Sequence, residues 1–342
     1  MARLLFLISD ADKTCGVEEF ARLAAMHLGE NGKTQALGGP LKANDDLVIN
    51  LPIVAWKRRL LSPITAALRA RLAGKSVTLI LHEWADLALA RRLSYLPLLP
   101  LASRIFFSAP EVMAQFEATP VSRIATKRRQ ILPIPPNFVV PGWTQTTPLS
   151  NSLAADRVRG KFVLAQFGSI YPKKDPMVVL DAAVELMRQG ADLRTVFIGS
   201  FIGEGVEAEF WSHVDALGLR GRVEVTGYVQ SAAELYGIFA EVDAFLYPLA
   251  EGLTSRRASV LAAALSGKPV IVSGPQRSDS LAHHRLFRSL LAAGTIRFVP
   301  RDARPADLAD AVLATRGVAP ARLVAATEVE AIWDDVVAAL DA

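Results

Sequence analysis

The chain has 342 residues, 51% hydrophobic and 21% charged, which is enough for two ordinary domains with large cores and excludes a disordered polymer. One cysteine, Cys15, excludes an internal disulfide framework and a multi-cysteine zinc site, and no charge-free run of 18 or more apolar residues suggests a membrane-spanning helix. The net charge of +4 is uneven: residues 1–140 carry 18 Lys and Arg against 11 Asp and Glu, while the remainder carries 20 against 23. A basic first half suggests an anionic partner: lipid headgroups, a phosphorylated substrate or nucleic acid.

In chain order, MARLLFLISDAD reads as a first buried strand and not a signal peptide, with residues 4–9 as its apolar run. The polar turn DADKTCGVEEF follows, and then a helix with Val17, Phe20, Leu23, Ala24 and Leu28 on one face, ending near Asn31 and Gly32. Strands are expected at 47–50, 77–82 and 104–108, with a helix opening at Pro110 and a further extended stretch at 130–136. Residues 140–160 lapse into Pro, Gly, Thr, Ser and Asn, which reads as an interdomain linker. A second series then alternates: strands at 162–167, 195–199, 223–226, 244–247 and 296–299, and helices at 178–189, 210–217 and 232–240.

Strands alternating with helices imply parallel sheets covered on both faces. The expected fold class is α/β, with two doubly wound Rossmann-like domains facing across a cleft. The expected boundaries are 1–140 for an N-terminal domain, 141–160 for the linker and 161–320 for a C-terminal domain. Residues 321–342 form a last helix packing back on the N-terminal domain. In such sheets ligands gather beyond the carboxyl ends of the strands.

Residues 56–75, WKRRLLSPITAALRARLAGK, interleave Lys57, Arg58, Arg59, Arg69, Arg71 and Lys75 with Trp56 and four leucines. A basic amphipathic segment with a terminal Trp suits the headgroup layer of an anionic membrane, with Trp56, Lys57, Arg58 and Arg59 as the contact. The alternative is a surface helix packed on its own domain with a solvated basic face.

Residues 247–275 concentrate chemistry. An apolar strand runs into a turn holding Glu251, Gly252, Thr254, Ser255, Arg256 and Arg257, and a helix and a second strand follow. The first N–H groups of a helix lack partners and its dipole is positive there, so this turn favours an anion. Thr254 or Ser255 is placed to cap the helix, and Arg256 and Arg257 to face an anion, since a planar guanidinium donates two parallel hydrogen bonds. The bland alternative is an ordinary turn with a salt-bridged Arg pair.

The segments GSIYPKKDP, VFIGS, VTGYV, AAELYGIFAEVDAFLYP and EG…SGKPVI occur in one order at sensible spacing. Together they resemble the nucleotide-sugar domain of GT-B fold glycosyltransferases, particularly the large retaining group with paired glutamates. In the first half CGVEEFARLAAMHL, ASRIFFSAPEVMAQF and IPPNF are similar to that group's first loop and helix, Ser-ending strand and Ile-Pro-Asn-Gly segment. The resemblance spans roughly residues 3–290.

The resemblance implies a transferase that moves a sugar, hexosyl in type, from a nucleotide diphosphate sugar to a membrane-associated, lipid-linked or oligosaccharide acceptor in polysaccharide or glycolipid assembly, with retention of configuration. Lys174 stands where the family places a lysine on the donor diphosphate, and Glu251 where it places a glutamate on the donor sugar. Gly16 and Gly168 match glycines of the phosphate loops. Ser169 replaces the usual Arg, and Gly227, Tyr228 and Val229 match the loop that reads the nucleobase edge. The second glutamate is missing: counting eight residues on gives Ser259, and counting back from Gly267 gives Ala262.

Acceptor-side candidates at strand ends of the first half are Asp12, Glu18, His82 and Glu83; in an inverting enzyme one carboxylate would be the general base. No metal and no other cofactor is expected, because the Asp-x-Asp of Asp10 and Asp12 falls where this fold uses none. No nucleic-acid partner is expected either, since aromatics for base stacking are absent from the basic stretches. The expected location is cytoplasmic, peripheral on the inner face of the plasma membrane. The alternative from another class is a non-catalytic nucleotide- or lipid-binding module on the same fold.

Overall fold

The computed structural model describes residues 3–9, 16–37, 45–52, 61–317 and 326–341. Asp10, Asp12 and Cys15 of the first loop, and Trp56, Lys57, Arg58 and Arg59 of the basic segment, lie outside the described residues. The chain divides into two compact units. The first is Met1–Asn137 with Thr254–Arg256 and Glu330–Ala342, and the second is Phe138–Leu253 with Arg257–Val329.

The first unit runs β1 (Leu4–Ile8), α1 (Gly16–His27), β2 (Gly32–Ala36), β3 (Asp46–Leu51), α2 (Leu61–Leu72), β4 (Val77–Leu81), α3 (Leu89–Tyr95), β5 (Arg104–Phe107), α4 (Pro110–Glu117) and β6 (Arg129–Ile131). The second runs α5 (Pro148–Val158), β7 (Phe162–Phe167), α6 (Pro176–Arg188), β8 (Leu193–Ile198), α7 (Val206–Ala216), β9 (Val223–Val225), α8 (Ala232–Ala240), β10 (Ala244–Tyr247), α9 (Ala258–Leu265), β11 (Val270–Ser273), α10 (Arg285–Ala292), β12 (Ile296–Val299) and α11 (Pro305–Leu313). The final helix is α12 (Ala326–Asp341), most of which belongs to the first unit. Each unit holds one six-stranded sheet with parallel pairing throughout, in the orders β2-β1-β3-β4-β5-β6 and β12-β11-β10-β7-β8-β9.

The apolar runs that form β1, β4 and β7 are buried at every position, as a parallel sheet covered by helices on both faces requires. Alternation decides which side each residue serves. In the first sheet Leu5, Leu7, Ile49, Leu79 and Phe107 meet Ala67 of α2, Leu98 and Phe116 of α4. Phe6, Val48, Ile80 and Phe106 meet α1 and α12 on the other face.

The helices α3, α10 and α11 add to the expected set, and two further elements depart from it for a physical reason. Strand β2, GKTQA, has no apolar run and is largely exposed; it exists because its backbone pairs with β1 at the sheet edge. Inside the stretch expected to be irregular linker lies α5, opened by Thr147, whose side chain accepts from the Ser150 N–H while the Ser150 side chain accepts from the Thr147 N–H.

The end of the chain closes one face of the first sheet. Trp333 is 3% exposed, stacks on His27 at 4.4 Å and 8°, and stacks on Phe20 at 5.9 Å. Arg104 donates to the carbonyl of Ala339 at 3.3 Å and to that of Leu340, filling acceptors a helix end leaves open. Trp333→Ala is therefore expected to destabilise the first unit by roughly 3–5 kcal/mol, read as a lower urea midpoint. An unchanged midpoint would show that α12 is not part of the cooperative core.

Candidate active site at the sheet switch point

In the second unit the chain passes from β7 to β8 and β9 towards one edge, then from β10 to β11 and β12 towards the other. β7 and β10 are therefore neighbours at the point where the winding reverses, and the loops leaving their carboxyl ends diverge. The loop after β7 carries Gly168, Ser169 and Lys174, and the turn after β10 carries Glu251 and leads to Arg257.

Gly168 has φ +108°, and a Cβ built on it would lie 2.3 Å from Lys174 Nζ, so only glycine admits the lysine here. The chain then makes a 3-10 turn, Pro172–Lys174, and Asp175 continues it at φ 48°. Asp175 is the one non-glycine residue at positive φ among the described residues, and its carboxylate accepts from the Ala250 N–H at 2.9 Å, tying the two loops together. Gly252, at φ +74°, brings the β10 turn against the Gly274 carbonyl, which a Cβ would meet at 2.3 Å.

Lys174 is 6% exposed. Its carbonyl accepts from Gln166 at 3.0 Å, its ammonium lies 3.3 Å from Ser259 Oγ, and no carboxylate pairs with it among the described residues. Burial first and the Arg257 guanidinium second pull its pKa from the usual 10.5 to about 7. Arg257, its side chain 10% exposed, donates to Tyr171 Oη at 3.0 Å, approaches Glu251 at 3.5 Å and leaves its buried Nε without a partner. Glu251 also pairs with Lys173 at 3.3 Å and is 42% exposed. The result is two part-buried cations side by side, only one of which reaches a carboxylate. An incoming dianion would supply the missing counter-charge.

Beneath this edge, Tyr247 Oη accepts from the Phe167 N–H at 3.2 Å and donates to the Ser259 carbonyl at 3.3 Å. Gly227, Tyr228 and Val229 follow β9 at the same carboxyl side of the sheet; Tyr228 is 70% exposed, and Thr226 orders the loop through the Gly199 N–H and the Gly227 carbonyl.

The first unit receives the other predicted residues. Gly16 opens α1. Glu18 is buried and consumed structurally: it accepts from Ser9 N at 3.1 Å and Ser9 Oγ at 2.8 Å, and pairs with Arg22 at 3.1 Å. His82 sits 3.0 Å from Asn50 Oδ1, and burial, then Arg256, lower its pKa from 6.5 to about 3. It is a neutral and poor base. Glu83 is 43% exposed and 3.9 Å from Arg256.

The Thr254 to Arg257 turn departs from its expected roles. α9 takes Arg257 as its N-cap with no side-chain hydrogen bond, so neither Thr254 nor Ser255 caps it. Ser255 Oγ donates instead to the Ser108 carbonyl at 3.2 Å, and Thr254 is buried with its hydroxyl unpartnered. Arg256 pairs with Asp86 at 3.2 Å and donates to the His82 carbonyl at 3.4 Å, all within the first unit. Of the adjacent arginines, Arg257 alone stands beside Lys174, because the turn sends consecutive side chains to opposite sides.

The sequence reading passed over Tyr171 and Tyr247, and counted Ser259 only as a missing acid. Ser259 and Lys174 are 85 residues apart, so their contact has no sequence signal; the tyrosines could have been flagged as hydroxyl-bearing rings at strand and loop ends. No group of three His, Cys, Asp or Glu side chains suited to a metal occurs among the described residues, and no helix among them is long and apolar enough to cross a membrane.

Residues 161–315, most of the second unit, match the profile of the family Glycosyl transferases group 1. The whole chain is similar in structure to HepE of Anabaena solved with UDP-glucose (15% identity, TM-score 0.66, 99% of this chain and 94% of that one). It is also similar to WaaG, a glycosyltransferase involved in lipopolysaccharide biosynthesis (14%, 0.59, 99% and 95%). An E. coli trehalose-6-phosphate structure bound with UDP-2-fluoro glucose is a third (11%, 0.61, 99% and 95%). In sequence, the chain matches none of the curated proteins. The fold is that of the GT-B glycosyltransferases, and the group 1 profile is matched by residues 161–315.

The lysine gives this site a pH signature. A bound diphosphate favours the ammonium, so binding takes up a proton wherever the free amine is the main form, that is above pH 7. Affinity for a diphosphate is expected to fall by up to about tenfold per pH unit between 7.5 and 9, with proton uptake visible by calorimetry in buffers of different ionisation heat. Lys174→Met should abolish the uptake; uptake that persists in that variant would assign it to another group.

Proposed function

We propose that the protein is a glycosyltransferase that moves a hexosyl-type sugar from a nucleotide diphosphate donor to a membrane-associated, lipid-linked or oligosaccharide acceptor, with retention of configuration and without a metal. The observation that carries this reading is the Lys174 and Arg257 pair at the β7 and β10 switch point of the unit that matches group 1 glycosyltransferases. Likeness to proteins solved with UDP and UDP sugars supports a nucleoside diphosphate as the leaving group.

The chemistry follows from the charges. As the bond from sugar to phosphate breaks, negative charge grows on the departing diphosphate, and fixed cations stabilise that charge more than they stabilise the ground state. Lys174 and Arg257 supply this without a metal ion. Ser169 contributes no charge where the family has an arginine, so the pair carries more of the task. Glu251, partly exposed between Lys173 and Arg257, is assigned to the hydroxyls of the donor sugar.

Two of the four acceptor-side candidates are unsuited to act as the base an inverting enzyme needs. Glu18 is committed to Ser9 and Arg22, and His82 is too weak a base to deprotonate a hydroxyl. In the retaining reading the leaving phosphate takes that proton. A non-catalytic nucleotide-binding module is the second reading, favoured by Ser259 standing where a ribose-binding acid is expected.

A thermal-shift screen of nucleotide sugars is expected to name the donor, and donor hydrolysis or transfer then separates the two readings. Lys174→Ala should lower turnover by roughly 10²–10³, far more than it lowers donor affinity. Wild-type turnover in that variant would remove the lysine from the mechanism, and a chain that binds donor but never consumes it would support the module.

A further inference from the structure

Tyr171 stands between the two cations of the second unit and meets both. Arg257 Nη1 donates to its Oη at 3.0 Å, and Lys174 Nζ lies 5.8 Å from the centre of its ring. That distance is within reach of the negative face of an aromatic. A carboxylate in this place would neutralise the pair, whereas a phenol attracts both charges and leaves both positive.

The backbone fixes where the phenol stands. Ile170, just before it, donates its N–H to the Ser200 carbonyl at 2.9 Å and accepts from the Ile202 N–H at 2.9 Å, a bridge to the loop after β8. Tyr171 itself is extended, as the bulk of a following proline favours. Its carbonyl accepts from the Lys174 N–H at 3.0 Å, closing the turn that returns the lysine to the ring. The positions of phenol and lysine are therefore set together.

Arg257 has a competing partner. Glu251 approaches it at 3.5 Å and is itself held by Lys173 at 3.3 Å. A guanidinium has donors only, so the Tyr171 hydroxyl accepts from it. Without that hydroxyl, Glu251 is the acceptor that remains to Arg257 among the described residues. The arginine would then close on the carboxylate, leave the lysine and lose its free charge.

We propose that Tyr171 is the positioning residue of this anion site, its hydroxyl holding Arg257 beside Lys174 and out of a closed ion pair with Glu251. The inference rests on the reading of Lys174 and Arg257 as a diphosphate site and goes beyond it by naming the group that keeps the pair open. Calorimetry with UDP and with inorganic pyrophosphate tests it. Tyr171→Phe removes the hydroxyl and keeps the ring, and should weaken both ligands about tenfold. The charged and titratable groups around Lys174 are Arg257 at the start of α9, Tyr171, Lys173 and Asp175 of its own loop, and Glu251 of the β10 turn. Arg257 holds the lysine pKa down, so its release should move the pH at which binding begins to take up a proton upward by roughly half a pH unit.

Beside Arg257→Met the effect of Tyr171→Phe should vanish, and beside Glu251→Gln it should shrink below about threefold. An effect that adds in full to Arg257→Met overturns the proposal, because the hydroxyl then acts elsewhere. A folding defect would lower the urea midpoint and persist beside Arg257→Met, so it too counts against. Wild-type affinity in Tyr171→Phe, or a wild-type protein that binds neither ligand, has the same consequence. Sugar transfer with unchanged UDP affinity in Tyr171→Phe would leave the transferase reading standing without this role for the tyrosine. Hydroxyl-dependent diphosphate binding by a protein that consumes no nucleotide sugar would do the reverse.

Discussion

The arrangement of the β7 and β10 loops depends on one buried hydroxyl. Tyr247, last residue of β10 and fully buried, links the end of β7 to the first turn of α9 through Phe167 and Ser259. Desolvation raises its pKa, so it stays a neutral donor and acceptor at any working pH. With those two segments held, the Gly168 loop and the β10 turn have little freedom. Asp175 pins the same pair of loops from outside through the Ala250 N–H. Lys174 is then confined between Gly168, Ser259 and Arg257 with no carboxylate to neutralise it.

That confinement explains why a costly arrangement persists. A buried ammonium beside a guanidinium is unfavourable in the empty protein, and the lysine answers by shedding its proton near neutrality. The energy held there becomes available only when an anion arrives. Glu251 tempers Arg257 from the solvent side but does not reach Lys174, which keeps the pair electropositive. A structural ion pair would place its carboxylate beside the lysine, and among the described residues none stands there.

The first unit spends its polar groups differently. Glu18 of α1 is bound to Ser9 at the end of β1, and Ser255 and Arg256 attach to Ser108, His82 and Asp86. These residues were read as ligands because each sits at a strand end or helix start, positions that serve catalysis and loop closure alike. Only burial and partners separate the two uses, and neither is visible along the chain.

The order of strands and helices was legible from the residues because buried parallel strands are continuous apolar runs and their covering helices repeat with a period near 3.6. The doubly wound α/β class, the loop after β7 and the turn from Glu251 to Arg257 could be located that way, while Lys174 was singled out by the resemblance to the glycosyltransferases. The polar edge strand β2 could not, since only its pairing with β1 makes it a strand. Nor could the division between neighbours Arg256 and Arg257, or the meeting of Lys174 with Ser259. Local sequence determines which way a segment turns and which face it buries. Which side chains then meet depends on how distant segments cross, and in this protein that crossing set Arg257 beside Lys174 and Arg256 against Asp86.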